Sequence, residues 1–137
     1  MFNIRKFNKN DILEISKWCN FYSLPQNTLD IMPENTSYIL EINNNPAIIA
    51  CLYLTECKKL AFIENVIGNP KFKGPLRSEG LTILCKYLEN LSKELNYEVL
   101  IILAEKEKLK DKYENMGYIK TLNNLTLFTK VLNRKDI

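Results

Sequence analysis

The residues best equipped for chemistry begin with the stretch NPKFKGPLRSEG, residues 69–80. It holds two of the four glycines, two of the five prolines and the cations Lys71, Lys73 and Arg77. It follows an apolar run and precedes a long amphipathic one, so it reads as a strand-to-helix turn. Such a turn gathers free backbone N–H groups and the positive end of a helix, an arrangement that binds anions. Gly74 allows close backbone approach, and Pro75 has the fixed φ of a first helical turn. A solvated basic loop that merely caps a helix has the same composition. The spacing matches neither G-x-x-x-x-G-K-[ST] nor G-x-G-x-x-G, which argues against nucleoside triphosphates and dinucleotides.

Two further side chains could handle protons. Glu64 is the one charged residue in the apolar run LAFIENVIG (60–68), placed either on a solvated sheet face or in a cleft as a base. Tyr113, in KYENMGYIK (112–120), is either a core aromatic or a proton donor. The chain has no histidine. Ser-His-Asp and Cys-His catalysis are therefore excluded, and acid–base work falls to carboxylates, Tyr, Lys or Cys. Cys19, Cys51, Cys57 and Cys85 form no C-x-x-C pair, which predicts buried free thiols, no metal site and a reducing, cytoplasmic setting.

The elements that must position these residues follow from periodicity. A short strand is expected over 3–7. Ile12, Ile15, Trp18 and Cys19 fall at helical spacing, after a capping box built from Asp11 and Glu14. A polar connector over 23–36 has room for a helical turn near 26–31. SYILEI (37–42) and AIIACLYLTE (47–56) read as strands joined by NNNP, and 60–68 is the next strand. A helix over 75–95 presents Leu84, Leu88, Leu91 and Leu95 on one face. EVLIILA (98–104) reads as a strand buried on both sides. A helix over 108–116 stops at Gly117, and 118–132 reads as a hairpin turning at Asn123-Asn124. Strand 60–68, helix 75–95 and strand 98–104 make a βαβ unit, so those two strands are expected to run parallel.

The 137 residues suit one domain over 1–132 with a tail at 133–137. A chain of this size buries about two-thirds of its unfolded surface, enough for a core without staples. A net charge of +3 with dispersed cations argues against a nucleic-acid partner. The polar N-terminus and the absence of an apolar run near ~18 residues argue against a signal peptide or a membrane partner.

Element order, loop and YENMGY together resemble the GNAT superfamily of acetyl-CoA-dependent N-acetyltransferases over about residues 2–132. The segments ENVIGNPKFKGPLRSEGLTIL and KYENMGYIK occupy the places of the family's cofactor loop and its (F/Y)YEKLGF-like segment. The resemblance implies a mixed α+β fold: a mostly antiparallel sheet of about six to seven strands with one parallel βαβ pair, flanked by about four helices. It implies acetyl-CoA as cosubstrate, with backbone contacts to its pyrophosphate from Lys73, Gly74, Leu76, Arg77 and Ser78. Val66 and Gly68 match the strand positions that face the pantetheine arm. Tyr113 matches the tyrosine that protonates the leaving thiolate, and Glu64 a frequent general-base position. Leu76 and Ser78 stand where the family has small residues, and Lys106 where many members have Asn. The acceptor would be an amine entering near Trp18, Phe21, Tyr22 and the C-terminal hairpin, although those aromatics read equally as core or helix packing, and many members form homodimers. A GNAT-fold binding or regulatory module without turnover is the rival reading.

Overall fold

The computed structural model describes residues 1–25, 27–103, 107–121, 130 and 132, and the side chains of the last helix from Leu109 onward. The chain divides into two compact units, Met1–Leu103 and Ala104–Ile137.

The first unit holds a five-stranded sheet in the order β1-β2-β3-β4-β5. These strands are β1 (Phe2–Lys6), β2 (Ser37–Ile42), β3 (Asn45–Leu54), β4 (Leu60–Gly68) and β5 (Val99–Ile102). The first four are antiparallel in sequence order, and β4 pairs β5 in parallel. Helix α1 (Ile12–Phe21) precedes β2, and α2 (Pro75–Glu94) makes the crossover from β4 to β5. The fold is thus mixed α+β, with five strands and three α-helices among the described residues, fewer than the resemblance implies. The expected hairpin lies almost wholly outside the described residues. The expected helical turn near 26–31 is a single 3-10 turn, Leu29–Ile31.

Local chemistry explains the boundaries. Asn43 and Asn44 both take left-handed φ, 50° and 69°, the conformation of a type I′ hairpin, so β3 starts at Asn45 rather than at 47. The capping box lies one turn earlier than expected. Asn8 and Asp11 form it around the 3-10 turn Lys9–Asp11, which runs into α1. Arg5 Nη1 and Nη2 each donate to Asp11 at 2.8 Å, and Glu14 instead accepts from Trp18 Nε1 at 3.1 Å.

The sheet buries a different core on each face. On one, α2 places Leu84 and Leu88 against Leu40, Ile48, Ala50, Leu52, Ala61 and Ile63. On the other, α1 places Ile15, Trp18 and Cys19 against Ile39, Ile49, Cys51 and Ile67. Strand β5 departs from expectation. Val99 and Ile101 are 53% and 37% exposed, whereas Leu100 and Ile102 pack on the α2-side core. It is buried on one face because α1 packs on β2–β4 and does not extend over it. The four cysteines are free thiols, and Cys57, at the β3–β4 turn, is exposed rather than buried.

In the second unit, α3 (Glu107–Asn115) ends in a Schellman arrangement. The Tyr118 N–H donates to Tyr113 O and the Gly117 N–H to Glu114 O, each at 3.0 Å. Gly117 takes φ 96°, the C′ role read from the sequence.

Candidate functional site

Strand β4 changes character at Glu64. Its pairing with β5 ends at Ile63↔Ile102, so that edge of residues 64–68 has no strand beside it among the described residues. On its other edge, the register passes from Cys51↔Glu64 to Ile49↔Ile67. One extra residue is thus inserted in β4, a β-bulge. Asn65 occupies it at φ 53°, a left-handed conformation that Asn accepts more readily than most side chains.

The bulge resets which groups face which way. The Asn69 N–H donates to Ala47 O on β3 at 2.7 Å. Since N–H groups alternate between strand edges, the Ile67 N–H also faces β3, and those of Val66 and Gly68 face the unpaired edge. Side chains are redistributed too. Cys51 and Tyr53 lie on the α1 side, as do their register partners Glu64 and Phe62. Asn65 Nδ2 donates to Tyr53 Oη, so Glu64 and Asn65, adjacent in sequence, project to the same face.

Two ionisable groups on this face are kept in their neutral forms. Burial, chiefly, with Cys51 and Glu64 adding, drives the Tyr53 phenol well above its ordinary range. Burial also pushes the Cys51 thiol up to about 11, and Cys51 is 0% exposed. Cys51 is therefore a packing residue that accepts from Ser37 Oγ at 3.3 Å, not a nucleophile.

At the far end of β4 the chain enters the basic loop. Asn69 is buried and pins the loop's start. Its Nδ2 donates to Pro46 O at 2.9 Å, and its Oδ1 accepts the Lys71 N–H at 3.0 Å. Gly74 takes φ 83° and ψ −159°, a region reserved essentially for glycine. Among the described residues a Cβ there would meet nothing within 4 Å, so conformation rather than space calls for glycine. No side chain caps α2, Pro75 has no N–H, and the Ser78 N–H donates to Gly74 O at 3.1 Å. Leu76 and Arg77 thus supply the helix's uncommitted donors among the described residues, next to the backbone of Lys73 and Gly74. The Leu76 side chain packs on the α2-side core and does not stand over the loop. The Arg77 guanidinium donates to Phe72 O at 3.2 Å and lies against Gly68, where any Cβ would collide with it.

The unit thus brings together Glu64, Val66, Gly68, Lys73, Gly74, Leu76, Arg77 and Ser78 on one strand, loop and helix start. Tyr113 belongs to the second unit, where it is buried and edge-on to Tyr118 at 6.0 Å. Lys106 lies outside the described residues. Of the aromatics expected at the acceptor entrance, Trp18 is core, 1% exposed. Phe21 is exposed and packs edge-on against Tyr22 at 5.0 Å. Sequence reasoning missed Tyr53 and Asn65. An asparagine inside an apolar strand was the available signal, since it favours left-handed backbone.

No family model matches the chain, and no curated protein matches it. Solved structures do. An acetyltransferase from Trypanosoma brucei superposes with a TM-score of 0.70 at 16% identity, covering 94% of this chain and 100% of that one. Glucosamine-6-phosphate N-acetyltransferase from Arabidopsis thaliana gives 0.68 at 14% identity, with coverages of 95% and 99%. A predicted acetyltransferase from Clostridium acetobutylicum, solved with acetyl-CoA, gives 0.65 at 20% identity, with coverages of 93% and 96%. The chain has the fold of the GNAT acetyltransferases.

Proposed function

We propose that this chain is an N-acetyltransferase that moves an acetyl group from acetyl-CoA to a primary amine by direct transfer in a ternary complex. The observation that carries the reading is the continuity of one donor track. The Val66 and Gly68 N–H groups face the unpaired edge of β4, and the strand runs directly into the uncapped start of α2. The first part suits the amide-rich pantetheine arm and the second a pyrophosphate.

Acetyl-CoA supplies an activated acetyl thioester; the chain supplies placement and proton handling. Backbone N–H groups of Lys73, Gly74, Leu76 and Arg77 hold the pyrophosphate, with Ser78 completing the turn through its bond to Gly74. Exposed Lys71 and Lys73 add long-range attraction for the anion. Val66 and Gly68 align the arm along β4. An amine near pKa ~10 is mostly protonated at neutral pH, so it needs a base to become nucleophilic. Glu64 takes that proton, directly or through water. Tyr113 returns a proton to the departing thiolate. A covalent acetyl-cysteine route finds no support at Cys51, whose thiol is buried and hard to ionise. The setting this reading implies is cytoplasmic. No helix among the described residues is long and apolar enough to cross a membrane.

Calorimetric titration with acetyl-CoA tests the reading, with Lys73→Glu as the control for loop binding. Saturable heat that the variant weakens, followed by turnover against a panel of primary amines, is the expected result. Absence of both heat and thermal stabilisation would exclude it. Binding without turnover would favour a regulatory module. Tyr113→Phe should then lower kcat with little change in cofactor affinity, and an unchanged kcat removes Tyr113 from the mechanism.

A further inference from the structure

We infer that Tyr53 is a positioning residue for this reaction: its hydroxyl holds Asn65 in the β4 bulge directly after Glu64, and through Asn65 it fixes the edge that the Val66 N–H addresses. The inference rests on the acetyltransferase reading for its function and on the strand geometry for its structure.

The bulge needs a cause. Left-handed backbone costs Asn less than most side chains but still departs from strand geometry, and an unbulged β4 would keep an ordinary ladder. Among the hydrogen bonds of the described residues, one ties the Asn65 side chain to the neighbouring strand, and its acceptor is Tyr53 Oη. The tyrosine is itself held. Its ring packs with the α1-side core, and its place on β3 is fixed by the β4 ladder on either side, Leu52↔Ile63 and Leu54↔Ala61. The anchor is therefore the rigid partner, and the bulge is what it restrains.

What the clamp restrains bears on the chemistry. Without the extra residue, alternation would turn the Val66 N–H toward β3 and the Ile67 N–H toward the open edge. The strand beyond Glu64 would present the opposite set of groups to the acetyl donor. A bulge that samples both arrangements would misplace the Val66 donor relative to Glu64, while leaving the α2 loop untouched. Tyr53 does not need to touch substrate to matter.

The test is a double-mutant cycle with two independent readouts. Tyr53→Phe removes the hydroxyl and keeps the ring in the core. It should lower kcat about tenfold, the scale of a small misplacement of reacting groups, with a smaller loss of acetyl-CoA affinity because the α2 loop is unchanged. In an Asn65→Gly background, where no side chain reaches Tyr53, the same substitution should change kcat less than about twofold. The second readout is amide hydrogen exchange in the unliganded protein. Exchange at Ile67, on the β3-facing edge, should accelerate about fivefold or more in Tyr53→Phe, as expected for loss of a hydrogen bond. Exchange at Leu84 and Leu88 should be unchanged. A Tyr53→Phe protein with wild-type kcat and wild-type Ile67 exchange overturns the inference. So does an equal loss of kcat with and without Asn65, which would make Tyr53 a direct contact. If the wild-type protein binds no acetyl-CoA, the enzyme reading fails, and the exchange readout alone still decides whether Tyr53 holds the bulge.

Discussion

The two halves of β4 are built from the same kind of sequence and do different work. Leu60–Ile63 is paired on both edges, to β3 and to β5, and its side chains alternate between the faces of the sheet, with Ala61 and Ile63 in the α2-side core. Glu64–Gly68 is paired on one edge, carries a bulge at Asn65 and directs the Val66 and Gly68 N–H groups outward. A backbone group used in a ladder is unavailable to a ligand, so a binding strand must leave part of its hydrogen-bonding capacity unspent. Stability is concentrated in the first half and the proposed chemistry in the second. Neighbouring substitutions should therefore have opposite signatures.

The sharpest contrast falls across one peptide bond. Glu64→Gln should lower kcat by about a thousandfold, within the range for losing a general base, and cost less stability than truncating its neighbour in the core. Ile63→Ala, one residue earlier and 1% exposed, should destabilise by about 3 kcal/mol, the usual scale for truncating a buried aliphatic side chain. At a temperature where it remains folded, its acetyl-CoA affinity should equal wild type. Steady-state kinetics and urea denaturation on both variants check the pair. A Glu64→Gln protein with normal kcat removes the base role, and an Ile63→Ala protein with weakened cofactor binding dissolves the division between the halves.

Gly74 tests where the working half ends. With φ 83° and ψ −159°, alanine there is strained by about 2 kcal/mol, although no described residue stands in the way of a methyl group. Gly74→Ala should weaken acetyl-CoA binding about tenfold by moving the loop, with a smaller loss in kcat at saturation. Calorimetry and saturation kinetics separate these effects. Equal binding by the variant would place the anion away from this turn.

The same division governs what could be read without a structure. β2 and β4 were legible to the residue, because each is a continuous apolar run bounded by polar turn formers. The start of α2 was legible because Pro75 marks it, as was the parallel pairing of β4 with β5, because a crossover helix of that length dictates it. Glu64 and the loop residues were visible as chemistry out of place in an apolar context. The bulge was not, because its clamp joins residues twelve apart that meet only once the β3–β4 register is set. Nor could periodicity say that Leu76, suspect as an obstruction, turns its side chain into the core. The one-sided exposure of β5 was hidden for a related reason. A run of apolar residues records the capacity to be buried on both faces, not the presence of a second layer.

The smallest expected effect comes from the opposite edge of the sheet, where polar pairing serves structure rather than catalysis. Arg5 bridges Asp11 and Glu41, tying β1 to β2 and to the start of α1. Burial acts to raise the Asp11 carboxyl, but the Arg5 guanidinium and the Asn8 N–H outweigh it and hold the group below its ordinary value of 3.8. A carboxyl with a depressed folded value binds protons more weakly in the native state than in the unfolded one. Its stabilisation is therefore complete above the ordinary value and is lost as pH falls through the folded value. Asp11→Asn should lower stability at pH 7 by about 1 kcal/mol, the scale of a charged hydrogen bond partly shared with solvent. The gap from wild type should close as pH falls below about 4. Urea midpoints across pH 3–7 measure it. A gap that persists at low pH would mean that Asp11 acts through shape and capping alone, and kcat should be indifferent in either case, since this edge lies across β2 and β3 from the bulge.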